Sequence, residues 1–142
     1  MKKFNILLLI FVELCVILVS ESYSARSYTL DEVVSSVISA EACGEGEIGM
    51  YAVANVIANR SRDRNMTPYE VVTERNQFYG HTNPNREELY NQCGEISDKL
   101  TAKIMKLDDI TDGAIFFKTI NEKKQSWHMI FTVKIGKHLF YK

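Results

Sequence analysis

Thr29-Leu-Asp-Glu-Val-Val-Ser-Ser-Val-Ile-Ser-Ala-Glu41-Ala-Cys-Gly44 is the stretch on which the fold turns. Thr29 and Glu32 stand three apart, the spacing of a capping box. The threonine hydroxyl accepts from an early backbone N–H while the glutamate reaches back to the cap. Behind that start, Leu30, Val33, Val34, Val37 and Ile38 recur at helical spacing, so one face is apolar. Gly44 and Gly46 supply the stop. Glu41 follows Ile38 by three residues, Val37 by four and Val34 by seven, which sets its carboxylate on the apolar face.

Toward the N-terminus, Lys2 and Lys3 precede an apolar run from Ile6 to Val19, and small and polar residues follow from Ser20 to Ala25. This is the layout of a secretory signal peptide. Ser22 and Ser24 suit the small-residue cleavage positions, so residues 1–24 read as the signal and residues 25–142 as one exported domain. Glu13 is out of character inside the run. An uncleaved anchor is the rival reading, but the run falls short of the roughly 20 apolar residues that span a bilayer. No stable membrane insertion is expected after cleavage.

Toward the C-terminus, Ile48 to Ala58 is apolar nearly all round, the pattern of a buried central helix. Asn59 and Arg60 are read as its end, where an arginine meets the helix dipole. Thr67-Pro68-Tyr69-Glu70 is a second capping box with proline at the first helical position. The loop Asn76-Gln77-Phe78-Tyr79-Gly80 comes next, and Asn83-Pro84 opens a further start. From there Leu89, Cys93, Ile96, Leu100, Ile104 and Leu107 trace a long amphipathic stripe. After the turn chemistry of residues 108–113, short β-like runs appear at Ala114–Phe117 and Phe131–Ile135. Gly136-Lys137 offers a turn into His138–Tyr141. The fold class is therefore α+β, mainly helical, as a single domain with a small C-terminal β element.

The 142 residues carry a formal net charge of −1, with 46% hydrophobic and 25% charged residues. Loss of residues 1–24 removes two charges of each sign and leaves that balance unchanged. No basic stripe is present, so nucleic acid is not an expected partner. Of the three cysteines, Cys15 leaves with the signal. Cys43 and Cys93 remain in an oxidising compartment, either as a disulfide or as two buried thiols. His81, His128 and His138 lack zinc-site spacing, and no nucleophile-elbow serine is present. Neither a metal nor any other cofactor is expected, and the chain is expected to be a monomer.

A carboxylate on an apolar face is costly to ionise, so the neutral acid is favoured. Such an acid can donate a proton to a glycosidic oxygen. The competing reading is a solvated charge at a frayed helix end, which periodicity alone slightly favours.

The blocks Val37-Ile-Ser-Ala-Glu41-Ala-Cys-Gly-Glu45 and Gly49-Met-Tyr-Ala-Val-Ala-Asn-Val-Ile-Ala-Asn59-Arg60 resemble the signature of the spore cortex-lytic, cell-wall hydrolase family. So do Gln77-Phe78, Thr111-Asp-Gly-Ala114, and Trp127 with Ile135-Gly136-Lys-His138-Leu-Phe140-Tyr141. They stand in the family's order across most of the chain. The resemblance implies a lysozyme-like catalytic domain acting on peptidoglycan glycan strands, related to lytic transglycosylases, with Glu41 as the acid. Two departures stand out: Cys43 where the family has arginine, and Tyr79 where it has serine. They alter substrate contacts, or Cys43 enters a disulfide.

With that resemblance, Glu45, Gln77, Phe78, Tyr79 and Trp127 become candidate substrate-binding residues. Amides suit N-acetyl groups, and aromatic faces pack on pyranose rings. For Glu45 a solvated loop carboxylate is an equal reading, and Phe78 also suits a core anchor. His138 is expected to make a structural hydrogen bond. In a lytic transglycosylase reaction one acid serves twice, whereas hydrolysis needs a second carboxylate that no motif singles out. A catalytically inactive peptidoglycan-binding protein of the same fold is the alternative from another class. An enzyme acting on a different glycan, such as chitin, is a third reading.

Overall fold

A computed structural model of the chain describes residues 28–122 and 128–142. The expected signal peptide and Trp127 lie outside the described residues. Four helices and three strands form where the sequence predicts them, with several boundaries moved.

Helix α1 spans Leu30–Ala42. Its capping box is formed: Thr29 Oγ1 accepts from Glu32 N at 3.2 Å and Glu32 Oε2 accepts from Thr29 N at 2.8 Å. Cys43–Glu45 tightens into one 3-10 turn. Gly46, at φ +69°, then redirects the chain into α2, Gly46–Arg64. Only glycine adopts that angle without strain. Met50, Val53, Ala54 and Ile57 of α2 are fully buried, which makes it the central helix. It runs past Asn59 and Arg60, contrary to expectation, and ends at Asn65 in the left-handed conformation, a common helix terminator.

The second capping box starts α3, Pro68–Thr73, whose Val71 and Val72 are fully buried. A 3-10 turn, Tyr79–His81, ends the loop that follows. Helix α4, Arg86–Thr101, begins two residues after the Asn83-Pro84 signal. The stripe read from Leu89 to Leu107 is longer than the helix, because Ile104 sits in a separate 3-10 turn, Ile104–Lys106.

Helix α1 packs most extensively on α4, and buried hydroxyls join the apolar side chains of that contact. Ser39 Oγ lies 2.8 Å from Ser97 Oγ, and Ser35 Oγ donates to Thr101 Oγ1 at 2.9 Å. All four residues are buried. Small side chains let the helices approach closely, and each hydroxyl finds a partner that offsets its desolvation. Cys43 and Cys93 tie the end of α1 to α4 in a disulfide, with Cα atoms 5.8 Å apart.

Three antiparallel strands complete the fold: β1 Phe116–Thr119, β2 Phe131–Ile135 and β3 His138–Tyr141, in the order β1-β3-β2. The first β-like run is shifted, for Ala114 is buried in the coil before β1. Gly136-Lys137 makes the β2–β3 turn. At Gly136 φ is +58°, a backbone conformation that favours glycine, and the Glu45 carboxylate lies close against it. Strand alternation turns His138 and Phe140 inward, and Phe140 is fully buried against the helices. Among the described residues no helix is long and apolar enough to cross a membrane.

Candidate active site

Helix α1 delivers Glu41 in its last turn, and three other parts of the chain close around it. The Tyr79–His81 turn lies against α1 so tightly that a Cβ on Gly80 would meet Val37 O at 2.9 Å and Glu41 Cγ at 3.1 Å. That closeness lets Gly80 N donate a hydrogen bond to Glu41 Oε1. Helix α2 contributes Arg60, and the sheet contributes Phe117 and His138. Together with Gln77, Tyr79, Lys118 and Glu122 they enclose a cavity of about 430 Å³ beside Glu41.

The carboxyl of Glu41 is not the solvated group that periodicity alone favours. Burial pushes it above the ordinary carboxylate value. The Gly80 N–H and the Arg60 guanidinium oppose that rise, while Glu122 adds to it. The balance leaves the protonated form more accessible than in an ordinary carboxylate, and that form faces a cavity. That state can give a proton to an oxygen bound there.

Arg60 is 4% exposed. Its Nε donates to Ile115 O at 2.6 Å, and its guanidinium carbon lies 4.8 Å from the Phe78 ring centre and 5.5 Å from that of Phe116. Burial lowers its pKa to about 10, with nearby Arg64 adding to the effect, which still leaves it cationic at neutral pH. The expected role at a helix end is therefore corrected: Arg60 reaches inward from within α2. Spacing did mark it, since Arg60 follows Val53 by seven and Ile57 by three.

His138 is also 4% exposed, and its ring packs edge-on against Phe117 and Phe140. Burial lowers its pKa, so the imidazole is neutral. The structural hydrogen bond expected of it is not made at Nδ1, which is buried and has no partner among the described residues.

The candidate sugar contacts separate in space. Gln77 and Tyr79 line the cavity, and Tyr79 is 70% exposed, an aromatic face open to a ligand. Phe78 is 4% exposed and stacks between the Arg60 cation and the Phe117 ring, so it is an anchor under the loop. Glu45 does not line the cavity. Its Oε2 accepts from Lys137 N at 2.8 Å and ties the start of α2 to the β2–β3 turn. It is neither a solvated loop carboxylate nor part of the cavity wall.

Glu122 is the residue that no motif signalled. It follows β1 by three positions and is the second carboxylate lining the cavity among the described residues. Other acids are engaged elsewhere: Glu70 caps α3 and Glu74 pairs with Arg64. A larger hollow of about 570 Å³ lies across the Phe78–Tyr79 ridge, bordered by Glu74, Arg75 and His81. Its lining acid, Glu74, is paired with Arg64, whereas burial makes the Glu41 carboxyl easier to protonate, so the Glu41 cavity is the better candidate for proton chemistry.

The Cell Wall Hydrolase family model matches residues 44–141, beginning three residues past Glu41. No curated protein matches the sequence. The catalytic domain of the germination-specific lytic transglycosylase SleB from Bacillus anthracis has the same fold. It has 24% sequence identity and a TM-score of 0.67, over 84% of this chain and 98% of that one. The catalytic domain of the Bacillus cereus SleB protein is similar at 24% identity and a TM-score of 0.65, over 82% and 94% of the two chains.

Proposed function

The chain belongs to the Cell Wall Hydrolase family, and from that premise we propose that it cleaves the glycan strand of peptidoglycan by a lytic transglycosylase reaction, with Glu41 as acid and then base. The observation that carries this reading is a single one: the Glu41 carboxyl, made easier to protonate by burial, faces a cavity open to a ligand.

The reaction runs in two proton transfers. Glu41 gives its proton to the oxygen between N-acetylmuramic acid and N-acetylglucosamine as the bond from that oxygen to the muramic C1 breaks. The sugar is left with positive charge at C1, and Glu41 is left as a carboxylate accepting from Gly80 N. The carboxylate then removes the proton from the muramic C6 hydroxyl, whose oxygen closes on C1 to give a 1,6-anhydro ring. Glu41 ends protonated, ready for another turn. Because the attacking group belongs to the substrate, proximity replaces a water-activating base. Tyr79 and Gln77 hold the sugars over the cavity, with Phe78 supporting their loop. Residues 1–24 export the domain to the compartment where this substrate and the Cys43–Cys93 disulfide both occur.

Hydrolysis is the second reading, and Glu122 is the observation that favours it, since it lines the same cavity and could activate a water. Mass spectrometry of products from purified sacculi separates the two. Muropeptides ending in 1,6-anhydro sugars support transglycosylation, and reducing ends alone refute it. Glu41→Gln keeps size and polarity without the acid, and should lower turnover by about 100-fold or more. Binding to sacculi without turnover by the wild-type protein would instead favour an inactive wall-binding protein. Faster release from chitin than from sacculi would move the reading to another glycan.

A further inference from the structure

Arg60 presents a cation in an unusual setting. It sits against the Phe78 and Phe116 rings, its Nε is committed to Ile115 O, and its Nη1 is buried with no hydrogen-bond partner among the described residues. Among the described residues no carboxylate stands within ion-pair distance of it. A buried cation without a paired anion is costly to keep. A hydrophobic side chain of similar volume would fill the same ring cage without that cost. The charge therefore needs an explanation, and Glu41 across the same cavity wall supplies one.

We propose that Arg60 is a positioning residue for Glu41: its fixed, unpaired cation holds the carboxylate that Glu41 becomes between its two proton transfers. This inference rests on the proposed two-step use of Glu41. Without a counter-charge, the walls that raise the cost of ionising Glu41 would also make the first transfer slow. A cation held by rings and a backbone carbonyl needs no rearrangement when the charge appears.

The other groups around Glu41 do not duplicate this role. Lys118 and Glu122 face the cavity from β1 and the turn after it, and His138 faces it from β3 as a neutral imidazole. Glu122 opposes ionisation of Glu41 rather than aiding it. Tyr79 and Gly80 contribute backbone N–H groups, and α4 meets α1 through Ser97 and Thr101, which do not titrate. Arg64 and Glu74, beyond Arg60, are paired with each other.

The test is an NMR titration of the protein labelled with ¹³C at its glutamate carboxyls, with Glu41 assigned by its disappearance in Glu41→Gln. In Arg60→Gln the titration midpoint of Glu41 should rise by roughly 0.5–1 unit, while Arg60→Lys should leave it near the wild-type position. Arg60→Met, which keeps an apolar stem in the ring cage, gives the same reading if the glutamine variant does not fold. The high-pH limb of kcat/KM should move upward by the same amount in the uncharged variants, with kcat lowered. An unmoved midpoint in a folded, uncharged variant overturns the inference, as does an equal shift in Arg60→Lys. Because the titration needs no substrate, it is read separately from the turnover of Glu41→Gln, which tests the proposed function itself.

Discussion

Replacing both Cys43 and Cys93 by serine should lower stability by about 4 kcal/mol, and the figure follows from the chain length the bridge closes. The two cysteines are separated by 50 positions. A cross-link over a loop of that size removes about 14 cal/mol/K of entropy from the unfolded chain, or about 4 kcal/mol at 25 °C. For a domain of this size such a loss lowers the midpoint of thermal unfolding by roughly 15 °C. Activity well below that midpoint should change by less than about twofold. The reason is that Glu41 is placed by the α1–α4 packing and by Gly80, not by the sulfur bridge. The assay is a denaturant titration of wild type and the double variant, with intact-mass alkylation confirming that the wild-type thiols are absent. A stability difference under about 1 kcal/mol would refute the reasoning, since the loop term alone exceeds it. Wild-type protein that takes up two alkyl groups without reduction would refute the bridge itself.

Three further outcomes follow from the site and its supports. Because burial raises the pKa of Glu41, the native state holds that proton more tightly than the unfolded chain does. Stability is therefore lost as pH rises from the ordinary carboxylate value through the raised one. Urea midpoints from about pH 4 to about pH 8 should then show Glu41→Gln gaining on wild type as pH rises, and a constant gap would refute the burial. Gly80→Ala places a Cβ 3.1 Å from Ala40 Cβ and closer still to Val37 O. It should cost about 1–3 kcal/mol in thermal denaturation. Turnover should fall on the order of 100-fold as the Glu41 contact is pushed apart. Ser97→Ala strands the buried Ser39 hydroxyl and should cost about 1–3 kcal/mol. The Ser39→Ala/Ser97→Ala pair should cost less than the sum of the single changes in a double-mutant cycle.

The legible parts of the sequence are those governed by neighbours a few residues apart. Both capping boxes could be read because a threonine and a glutamate three positions apart meet within a single turn. The β2–β3 hairpin could be read because Gly136-Lys137 is a two-residue turn between apolar runs. Glu41 could be placed on an inward face by counting from Val34, Val37 and Ile38. Other features resisted. Periodicity says that α4 has an inward face, but not that it meets serines of α1, so the hydroxyl seam went unread. The place of Arg60 in the chain suggests a helix end, whereas its helical face is the inward one. Glu122 gave no signal, because a carboxylate after a short strand is ordinary until folding brings it beside another.

The sequence by itself determined where α1 starts and stops, and that Glu41 rides its apolar side, because caps and helical spacing are settled by local geometry. Whether Glu41 is a solvated charge or a buried acid with a raised pKa was decided only by the tertiary structure. Desolvation depends on every atom nearby, and Arg60, Gly80, Glu122 and His138 reach Glu41 from distant parts of the chain. No count of residues along one helix contains that sum.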